Sequence, residues 1–234
     1  MPFDCPPHAG GLNAPDVAHT LDRLHRDARR DRWVFVRALP AIIAGRFRGR
    51  STFDSAEPYL KDAYIPVSPE FGELMYLTAR ARKAVNIVEF GSSFGISSIY
   101  LAAAARENGG RFTGTEKDPA KAQIAIANLA EAGLNRVSDI REGDAMESLD
   151  SLEGPVDFLF LDGWKDLYIP ILRLLEPTLA SGAIILADNI HSFRKTLKPY
   201  VDYVSDPAGN YETTILKLGS GVAYSVWRGD AESA

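Results

Sequence analysis

Cysteine is almost missing from this sequence, since Cys5 is the only one among 234 residues. A lone cysteine forms no intramolecular disulfide, and its Pro-rich surroundings place it poorly for nucleophilic catalysis. The sequence also lacks an apolar run approaching the about 20 residues that cross a bilayer. Its start, MPFDCPPHAG, lacks the basic and apolar regions of a signal peptide. We therefore expect a cytoplasmic protein without disulfides or membrane-spanning helices.

An overall positive charge is missing too, because the net charge is −5 at pH 7. This argues against a protein whose whole surface binds the phosphates of a nucleic acid. Positive charge is nevertheless concentrated in an arginine arm, residues 21–50, where three aspartates accompany nine arginines: Arg23, Arg26, Arg29, Arg30, Arg32, Arg37, Arg46, Arg48 and Arg50. A solvated helix face explains such an arm, and contact with an acidic ligand, nucleic acid or second subunit is the alternative.

The chain divides into two regions of different pattern. Its composition, 46% hydrophobic and 24% charged, is that of a globular protein long enough for one large domain and an appendage. In residues 1–65, Val17, Leu21 and Leu24 recur at helical spacing, so we expect a helical appendage that serves as a lid or an oligomer contact. Residues 66–234 alternate short apolar runs with amphipathic segments, as βαβ units do, and form the main domain.

Five apolar runs in the main domain predict parallel strands, and helices follow the first two. The predicted strands are 85–90, 111–116, 137–141, 156–161 and 183–187, and the predicted helices are 96–106 and 119–132. Residues 211–227 hold two β-rich stretches separated by Gly219, Ser220 and Gly221, which predicts an antiparallel hairpin. Together these elements predict an α/β fold with a mostly parallel sheet that ends in a hairpin.

The first predicted strand leads into a loop that is typical of nucleotide-binding sites. Gly91 and Gly95 stand where the backbone must turn sharply and pass close to a ligand. Ser93 replaces the middle glycine of the G-x-G-x-x-G motif, so the loop does not indicate a diphosphate. Glu116 ends the second strand, where a carboxylate can accept hydrogen bonds from both hydroxyls of a ribose. Any βαβ domain can end a strand with glutamate, and this structural role is the alternative.

This region resembles the class I S-adenosylmethionine-dependent methyltransferases, whose first motif E-x-G-x-x-x-G-x-S is matched by Glu89, Gly91, Gly95 and Ser97. The resemblance extends from about residue 67 to the end of the sequence, and it implies their Rossmann-like fold with a seven-stranded sheet. It implies that Ser97 binds the methionine carboxylate and Glu116 the ribose. The full cofactor set that it implies is Val67, Ser68, Glu89, Gly91, Ser92, Ser93, Gly95, Ser97, Glu116, Lys117, Gly143, Asp144, Ala145, Asp162 and Trp164.

The fourth and fifth predicted strands both end at residues with oxygen ligands. Asp162 follows the fourth strand, and Asp188 and Asn189 follow the fifth. Because parallel strands end at the same edge of a sheet, we expect two carboxylates and an amide oxygen at one place, a set that suits Mg²⁺ or another divalent cation. The alternatives are an ordinary aspartate at a strand end and an Asp-Asn pair that caps a helix.

The same segments resemble the catechol and caffeoyl-coenzyme A O-methyltransferases. Asp162, Lys165 and Tyr168 match their D-x-x-K-x-x-Y pattern, and Asp188 and Asn189 match their metal pair. The resemblance implies that Asp162, Asp188 and Asn189 hold Mg²⁺ and that Lys165 is the general base. A surface lysine at the start of a helix is the alternative for Lys165.

Three features bear on the cofactor and the acceptor. The resemblance implies that Trp164 lies against the adenine of the cofactor. Thr214 stands where catechol O-methyltransferase has an acidic residue that helps hold the second hydroxyl of its substrate, and Glu212 is the nearest acid. This departure argues against catechol itself. His191 follows the metal pair and either lines the acceptor pocket or begins a helix.

We therefore predict an O-methyltransferase that uses S-adenosylmethionine, a divalent metal and a lysine base on a small phenolic or catechol-like metabolite. The main alternative is a metal-independent methyltransferase with another acceptor, such as RNA held by the arginine arm. A cofactor-binding interaction module without turnover is a third hypothesis. We expect the arm to cover the acceptor pocket or to contact the second subunit of a homodimer, and we expect neither a nucleic-acid nor a membrane partner.

Overall fold

The computed structural model describes residues 10–31 and 67–229, which form a seven-stranded sheet and its surrounding helices. The strands are β1 (Asn86–Phe90), β2 (Arg111–Glu116), β3 (Ser138–Glu142), β4 (Val156–Leu161), β5 (Leu179–Ala187), β6 (Tyr211–Leu216) and β7 (Val222–Trp227). The α-helices are α1 (Pro15–Asp31), α2 (Pro69–Arg82), α3 (Ile96–Asn108), α4 (Pro119–Glu131), α5 (Ala145–Ser148), α6 (Tyr168–Leu175) and α7 (Arg194–Val204).

The strand order is β3-β2-β1-β4-β5-β7-β6. The first five strands in this order are parallel, and β7 runs antiparallel to both β5 and β6. The order reverses between β1 and β4, which pair from Ile87 with Phe158 to Phe90 with Leu161. The predicted α/β fold, a mostly parallel sheet with a C-terminal hairpin, is confirmed.

The central strands are apolar throughout because helices cover both faces of the sheet. Along β4, Phe158 and Phe160 belong to one hydrophobic cluster, whereas Leu159 and Leu161 belong to the other. Successive side chains of a strand point to opposite faces, so this alternation divides the core into two layers. A strand buried on both faces reads as a continuous apolar run, which is why β4 was recognisable from the sequence.

The predicted strands 111–116 and 156–161 coincide with β2 and β4. The predicted bounds of β1, β3, α3 and α4 differ from the structure by one or two residues, as element ends commonly do. β5 is longer than predicted and begins at Leu179, which pairs with Val156 before a register irregularity. Ser181 and Gly182 interrupt its apolar pattern, so only the second half was predicted.

Helix α1 is the helix that the spacing of Val17, Leu21 and Leu24 predicted, and these three side chains are buried in one of the two core clusters. Cys5, His8 and residues 32–66, which include the arginines from Arg32 to Arg50, lie outside the described residues. The boundary between residues 1–65 and 66–234 therefore stays a prediction. Within the described ranges, no helix is both long enough and apolar enough to cross a membrane.

Candidate active site

The loops that follow β1, β2, β4 and β5 meet at one edge of the sheet. The backbone nitrogen of Asp162 donates to the Phe90 carbonyl at 2.9 Å, and that of Asp188 donates to the Leu161 carbonyl at 3.1 Å. The polar residues after β4 therefore lie between those after β1 and those after β5. In parallel sheets, the carboxyl edge at the point where the strand order reverses is where ligands bind.

The cofactor loop, residues 91–95, has a backbone that its glycines make possible. Gly91 and Gly95 have φ angles of +94° and +85°. A Cβ at Gly91 would lie 2.6 Å from the backbone of Gly163, and one at Gly95 would lie 3.1 Å from Ala125. Ser93 also lies in the left-handed region, with a φ of +47°, which is uncommon for a residue with a side chain. The loop is thus tightly packed and locally strained.

Glu89 lies beneath this loop and is completely buried. Its Oε2 accepts hydrogen bonds from Ser92 Oγ at 2.7 Å and Ser98 Oγ at 2.5 Å. Burial raises the pKa of Glu89 to about 7, although the hydroxyls of the neighbouring serines oppose the shift. Its Oε1 is buried and has no hydrogen-bond partner among the described residues. An unpartnered buried oxygen needs an explanation, which the proton of the carboxyl group or a ligand at this loop would supply.

Glu116 ends β2 beside the cofactor loop. Its Oε2 accepts from the backbone nitrogen of Ser93 at 2.7 Å, and its Oε1 accepts from that of Asp118 at 2.9 Å. Each oxygen keeps further lone pairs, and the side chain is half-buried. Lys117, which follows it, is exposed. The carboxylate is therefore held in place with acceptor capacity to spare.

The remaining residues of the predicted cofactor set are spread around this edge. Gly143 has a φ of +114° and donates from its backbone nitrogen to the Glu116 carbonyl at 2.9 Å, so the loop after β3 adjoins the loop after β2. Asp144 caps α5 by accepting from the backbone nitrogen of Met146 at 2.8 Å. Ala145 is buried.

Three other members of the set differ in how exposed they are. Val67 is buried in the core, and Ser68 caps α2 with an Oγ that accepts from the backbone nitrogen of Phe71 at 3.3 Å. Trp164 is 48% exposed. Trp164 follows Asp162 by two residues in the loop after β4.

The predicted catalytic residues converge on the carboxylate of Asp162. Its Oδ1 accepts from Lys165 Nζ at 3.1 Å and from Asn189 Nδ2 at 2.7 Å. Lys165 Nζ also donates to the Tyr168 hydroxyl at 3.0 Å, and this hydroxyl donates to the Asp188 carbonyl at 3.3 Å. The structure thus joins the segments after β4 and β5 in one polar cluster.

The two carboxylates of this cluster disfavour each other's charge. Burial, followed by the charge of Asp162, raises the pKa of Asp188 to about 7. Burial also raises the pKa of Asp162, against the opposing effect of Lys165. In the described part of the chain, no three His, Cys, Asp or Glu side chains form a metal site. The set at this position is instead two carboxylates and the amide of Asn189.

Two alternative interpretations from the sequence are wrong. Asp188 and Asn189 do not cap a helix, because α7 begins at Arg194 and its N-cap residue, Phe193, makes no capping bond with its side chain. Lys165 opens a short 3-10 helix, Lys165–Leu167, but its side chain is only 14% exposed and faces the cluster. It is therefore not an ordinary surface lysine.

Sequence reasoning missed several residues of the site. Tyr168 was matched to the motif without a role, although its hydroxyl links Lys165 to β5. Phe193 was not predicted at all, yet Lys165 Nζ lies 5.6 Å from the centre of its ring. Gly163 was missed as the residue against which Gly91 packs. The spacing of Tyr168 within the motif was a usable signal, whereas nothing local in the sequence marked Phe193.

The residues considered for the acceptor lie at different depths. His191 is exposed in the turn before α7, and its ring lies against Gly221, where an added Cβ would be 2.6 Å from it. The prediction that it begins a helix is wrong, because α7 begins three residues later. Thr214 and Glu212 are both exposed on the edge strand β6.

A pocket of about 430 Å³ lies at the opposite edge of the sheet, between Glu176, Tyr203, Tyr211 and Trp227. Tyr211 and Trp227 pair at the start of β6 and the end of β7, whereas Ala223 pairs with Ala187 at the carboxyl edge. The hydroxyls of Tyr203 and Tyr211 both donate to Glu176 at 2.7 Å, so the polar groups of this pocket satisfy one another. The pocket is separate from the cluster around Asp162.

The sequence of this chain is similar to those of known methyltransferases. A family model described as a methyltransferase domain matches residues 88–190. Catechol O-methyltransferase of Niastella koreensis is 38% identical over 134 residues, covering 54% of this chain and 58% of that protein, so this chain spans little more than half of that relative. Catechol O-methyltransferase B of Danio rerio is 30% identical over 212 residues, covering 86% of this chain and 77% of that protein.

A solved structure is similar as well. The O-methyltransferase of Bacillus cereus in complex with SAH is 26% identical, with a TM-score of 0.64, and the match covers 69% of this chain and 82% of that one.

Proposed function

Because this chain belongs to the class I S-adenosylmethionine-dependent O-methyltransferases, we propose that it transfers a methyl group from S-adenosylmethionine to a hydroxyl of a small phenolic or catechol-like metabolite. The observation that carries the proposal is the polar cluster in which Lys165 and Asn189 share the carboxylate of Asp162, beside Asp188. This cluster lies next to the cofactor loop, so a base and a methyl donor can act on the same acceptor atom.

The residues of the cofactor loop fit S-adenosylmethionine. The free Oε1 of Glu89 is available to the ammonium of the methionyl group, and the oxygens of Glu116 are oriented by two backbone nitrogens and available to the ribose hydroxyls. Ser97, at the start of α3, is proposed to bind the methionine carboxylate, and Trp164 to cover the adenine. When bound, S-adenosylmethionine supplies a methyl group on a positively charged sulfur, and this sulfur is an activated leaving group because it departs as a neutral thioether.

The cluster around Asp162 also fits a divalent cation. Burial, followed by the charge of Asp162, raises the pKa of Asp188 to about 7. The two carboxylates and the Asn189 amide are a hard-oxygen set whose negative charge a cation would neutralise. We propose that Asp162, Asp188 and Asn189 hold it. A divalent cation at this place lowers the pKa of a hydroxyl beside it.

Lys165 is proposed to be the general base. Its Nζ is held between Asp162 and the Tyr168 hydroxyl, so its position is defined before an acceptor arrives. In its neutral form the amine would take the proton of the acceptor hydroxyl and become an ammonium. S-adenosylmethionine, when bound, would supply the methyl group, with the electron pair of the broken carbon–sulfur bond going to the sulfur. A positioned base contributes roughly 10²- to 10⁴-fold to the rate, and alignment of the reacting atoms contributes further.

The surroundings of Lys165 favour an aromatic acceptor. The ring of Phe193 lies 5.6 Å from its Nζ, and the partly exposed indole of Trp164 lies one residue before it in the chain. Aromatic rings of this kind stack on flat ring substrates. Thr214 is not acidic, and Glu212 is exposed on β6, which supports a phenolic substrate over catechol itself.

An acceptor screen tests the proposal. Purified protein would be incubated with S-adenosylmethionine and a panel of phenols, catechols and aliphatic alcohols, and release of S-adenosylhomocysteine would be followed with Mg²⁺ and with excess chelator. We expect turnover with a phenolic acceptor that the chelator abolishes. Full activity in chelator would contradict the metal, and cofactor binding without turnover on any acceptor would favour the interaction module. Tight, salt-sensitive RNA binding would favour the RNA alternative, because counterion release governs such binding.

A further inference from the structure

Asn128 connects the cofactor loop to the N-terminal helix. Its Nδ2 donates to the Phe94 carbonyl at 2.8 Å, and its Oδ1 accepts from Nη2 of Arg23 at 2.8 Å. Asn128 lies on α4 and is only 5% exposed. Its bond to Phe94 is buried, and its bond to Arg23 is partly buried. Residues from three separate parts of the chain therefore meet at one amide group.

Arg23 fixes the orientation of this amide. A guanidinium donates hydrogen bonds and accepts none, so the oxygen of Asn128 must face Arg23. The NH₂ group must then face the Phe94 carbonyl, which accepts. Arg23 is itself held by Glu131, which accepts from its Nε at 3.0 Å and from its Nη2 at 2.6 Å.

The bond to Phe94 acts on a strained part of the loop. Ser93 has a φ of +47°, a conformation that is unfavourable for a residue with a side chain. One side of this residue is held by the bond from its nitrogen to Glu116, and the other by the bond from Asn128 to the next carbonyl. Two side chains on different elements thus hold the unfavourable backbone conformation between them.

The outer end of this connection is firmly placed. Val17 and Leu24 of α1 are completely buried in the core, so the helix that carries Arg23 is anchored by its apolar face. α4 is in turn pressed against the loop, since a Cβ at Gly95 would lie 3.1 Å from Ala125. A change at Arg23 is therefore transmitted through Asn128 rather than absorbed by a movement of α1.

We propose that Arg23 and Asn128 are positioning residues for the cofactor loop, so that α1 is part of the scaffold of the cofactor site. The expected consequence is that both residues raise the affinity for S-adenosylmethionine without touching it, and this consequence rests on the proposed function. It also gives the first arginine of the arginine arm a role within its own chain.

Asn128→Asp is the sharpest test. Aspartate keeps an acceptor for Arg23 but replaces the NH₂ group with an oxygen, which repels the Phe94 carbonyl. We expect the Kd for S-adenosylhomocysteine, measured by calorimetry, and the KM for S-adenosylmethionine to rise about 5- to 30-fold, the effect of losing one buried hydrogen bond. The KM for the acceptor at saturating S-adenosylmethionine should not change. Arg23→Gln should weaken cofactor binding less than Asn128→Asp does. It is the variant to measure if Asn128→Asp does not fold.

Arg26→Ala is the matched control, because Arg26 lies on the same helix and forms an exposed ion pair with Asp22. It should leave the affinity for S-adenosylhomocysteine unchanged. A merely structural role would lower the melting temperature of Asn128→Asp and leave the affinity of the folded protein intact, and that result would overturn the inference.

Hydrogen exchange separates this inference from the proposed function. In the ligand-free protein, Asn128→Asp should speed amide exchange at Ser93 and Gly95 relative to the wild type and to Arg26→Ala. Unchanged exchange at both amides would contradict the positioning role whether or not the wild type binds S-adenosylhomocysteine. A wild type that does not bind this ligand would contradict the proposed function instead, and exchange would still decide the role of Asn128.

Discussion

The backbones of Gly91 and Gly163 lie so close together that a Cβ at Gly91 would stand 2.6 Å from the nitrogen of Gly163. Gly91 opens the cofactor loop after β1, and Gly163 follows Asp162 after β4. A Cβ at Gly163 would in turn lie 2.5 Å from the ring of Phe90. The main chains of the loop proposed for the cofactor and of the loop proposed for the base are thus in contact, so the placement of one constrains the placement of the other.

Gly91→Ala should therefore damage both loops. Its methyl group meets main chain, which cannot rotate away, in addition to the strain of a φ of +94°. We expect a loss of about 2–4 kcal/mol in the free energy of unfolding and weakened binding of S-adenosylhomocysteine, measured by urea denaturation and calorimetry.

Gly109→Ala is the control for this substitution. Gly109 also has a positive φ, +70°, but a Cβ there would meet nothing within 4 Å. It should cost about 1 kcal/mol of stability and leave ligand affinity unchanged. Equal effects of the two substitutions would show that the contact with Gly163 is unimportant.

Glu116→Ala should weaken binding of S-adenosylmethionine by about 1–3 kcal/mol, the range for hydrogen bonds to a charged group. The substitution removes the acceptors proposed for the ribose and also releases the backbone nitrogen of Ser93. Calorimetry gives the affinity, with Glu212→Ala on the exposed face of β6 as the control. Unchanged affinity would show that Glu116 does not bind the cofactor.

Glu89 predicts a particular dependence of stability on pH. Its pKa is raised from 4.5 to about 7 in the folded protein, so the folded state binds the proton more tightly than the unfolded state. Its contribution to stability is therefore fully present below pH 4.5 and is lost as the pH rises through about 7.

Glu89→Gln isolates this contribution, because glutamine does not titrate and Asp188 remains in both proteins. The free energy of unfolding of the wild type, minus that of the variant, should fall by about 3 kcal/mol across this range. Urea denaturation at a series of pH values measures it. Parallel curves would mean that Glu89 is not protonated in the folded protein at neutral pH.

Lys165→Met should lower turnover and spare binding. Methionine keeps the aliphatic chain but not the amine, so we expect kcat to fall by roughly 10²- to 10⁴-fold while the Kd for S-adenosylhomocysteine is maintained. Raising the pH should restore part of the activity, since more of the acceptor hydroxyl ionises without a base. The same fractional loss at every pH would argue that Lys165 only positions other groups.

Asp188→Asn should separate stability from activity. Removing one of two mutually repelling carboxylates should stabilise the metal-free protein above about pH 7, where Asp188 is otherwise charged. Activity should collapse and return in part at high Mg²⁺, because one charged ligand is lost. Asp166→Asn, at an exposed position of the same edge, is the control. A variant with normal activity in chelator would contradict the proposed metal site.

Much of the fold could be predicted from the sequence because its signals are local. β2 and β4 are bounded by polar residues and glycine, and β4 is apolar on both faces, so their ends were clear. β5 was only half predicted, since Ser181 and Gly182 within it resemble a turn although the strand continues through them. Pairing with a neighbouring strand overrode the local pattern there.

The site could be predicted only where a motif records it. Asp162 and Lys165 are three residues apart in the chain, and their contact follows from the motif. Arg23 and Asn128 lie 105 residues apart, and their contact depends on how α1 packs against α4. Neither periodicity nor spacing carries that information, so only the folded chain reveals the support of the cofactor loop.

The position of β7 has a consequence for how the chain can be shortened. β7 is the last strand in the sequence, yet it lies between β5 and β6 and pairs with β5 from Ile184 to Ala187. Without the hairpin, β5 would become a long apolar edge with unpaired backbone groups, a form that promotes aggregation. Asp188 immediately follows that strand. A protease that removed only the hairpin would therefore leave a chain that retains the cofactor loop but loses the support for one of the two carboxylates of the proposed metal site.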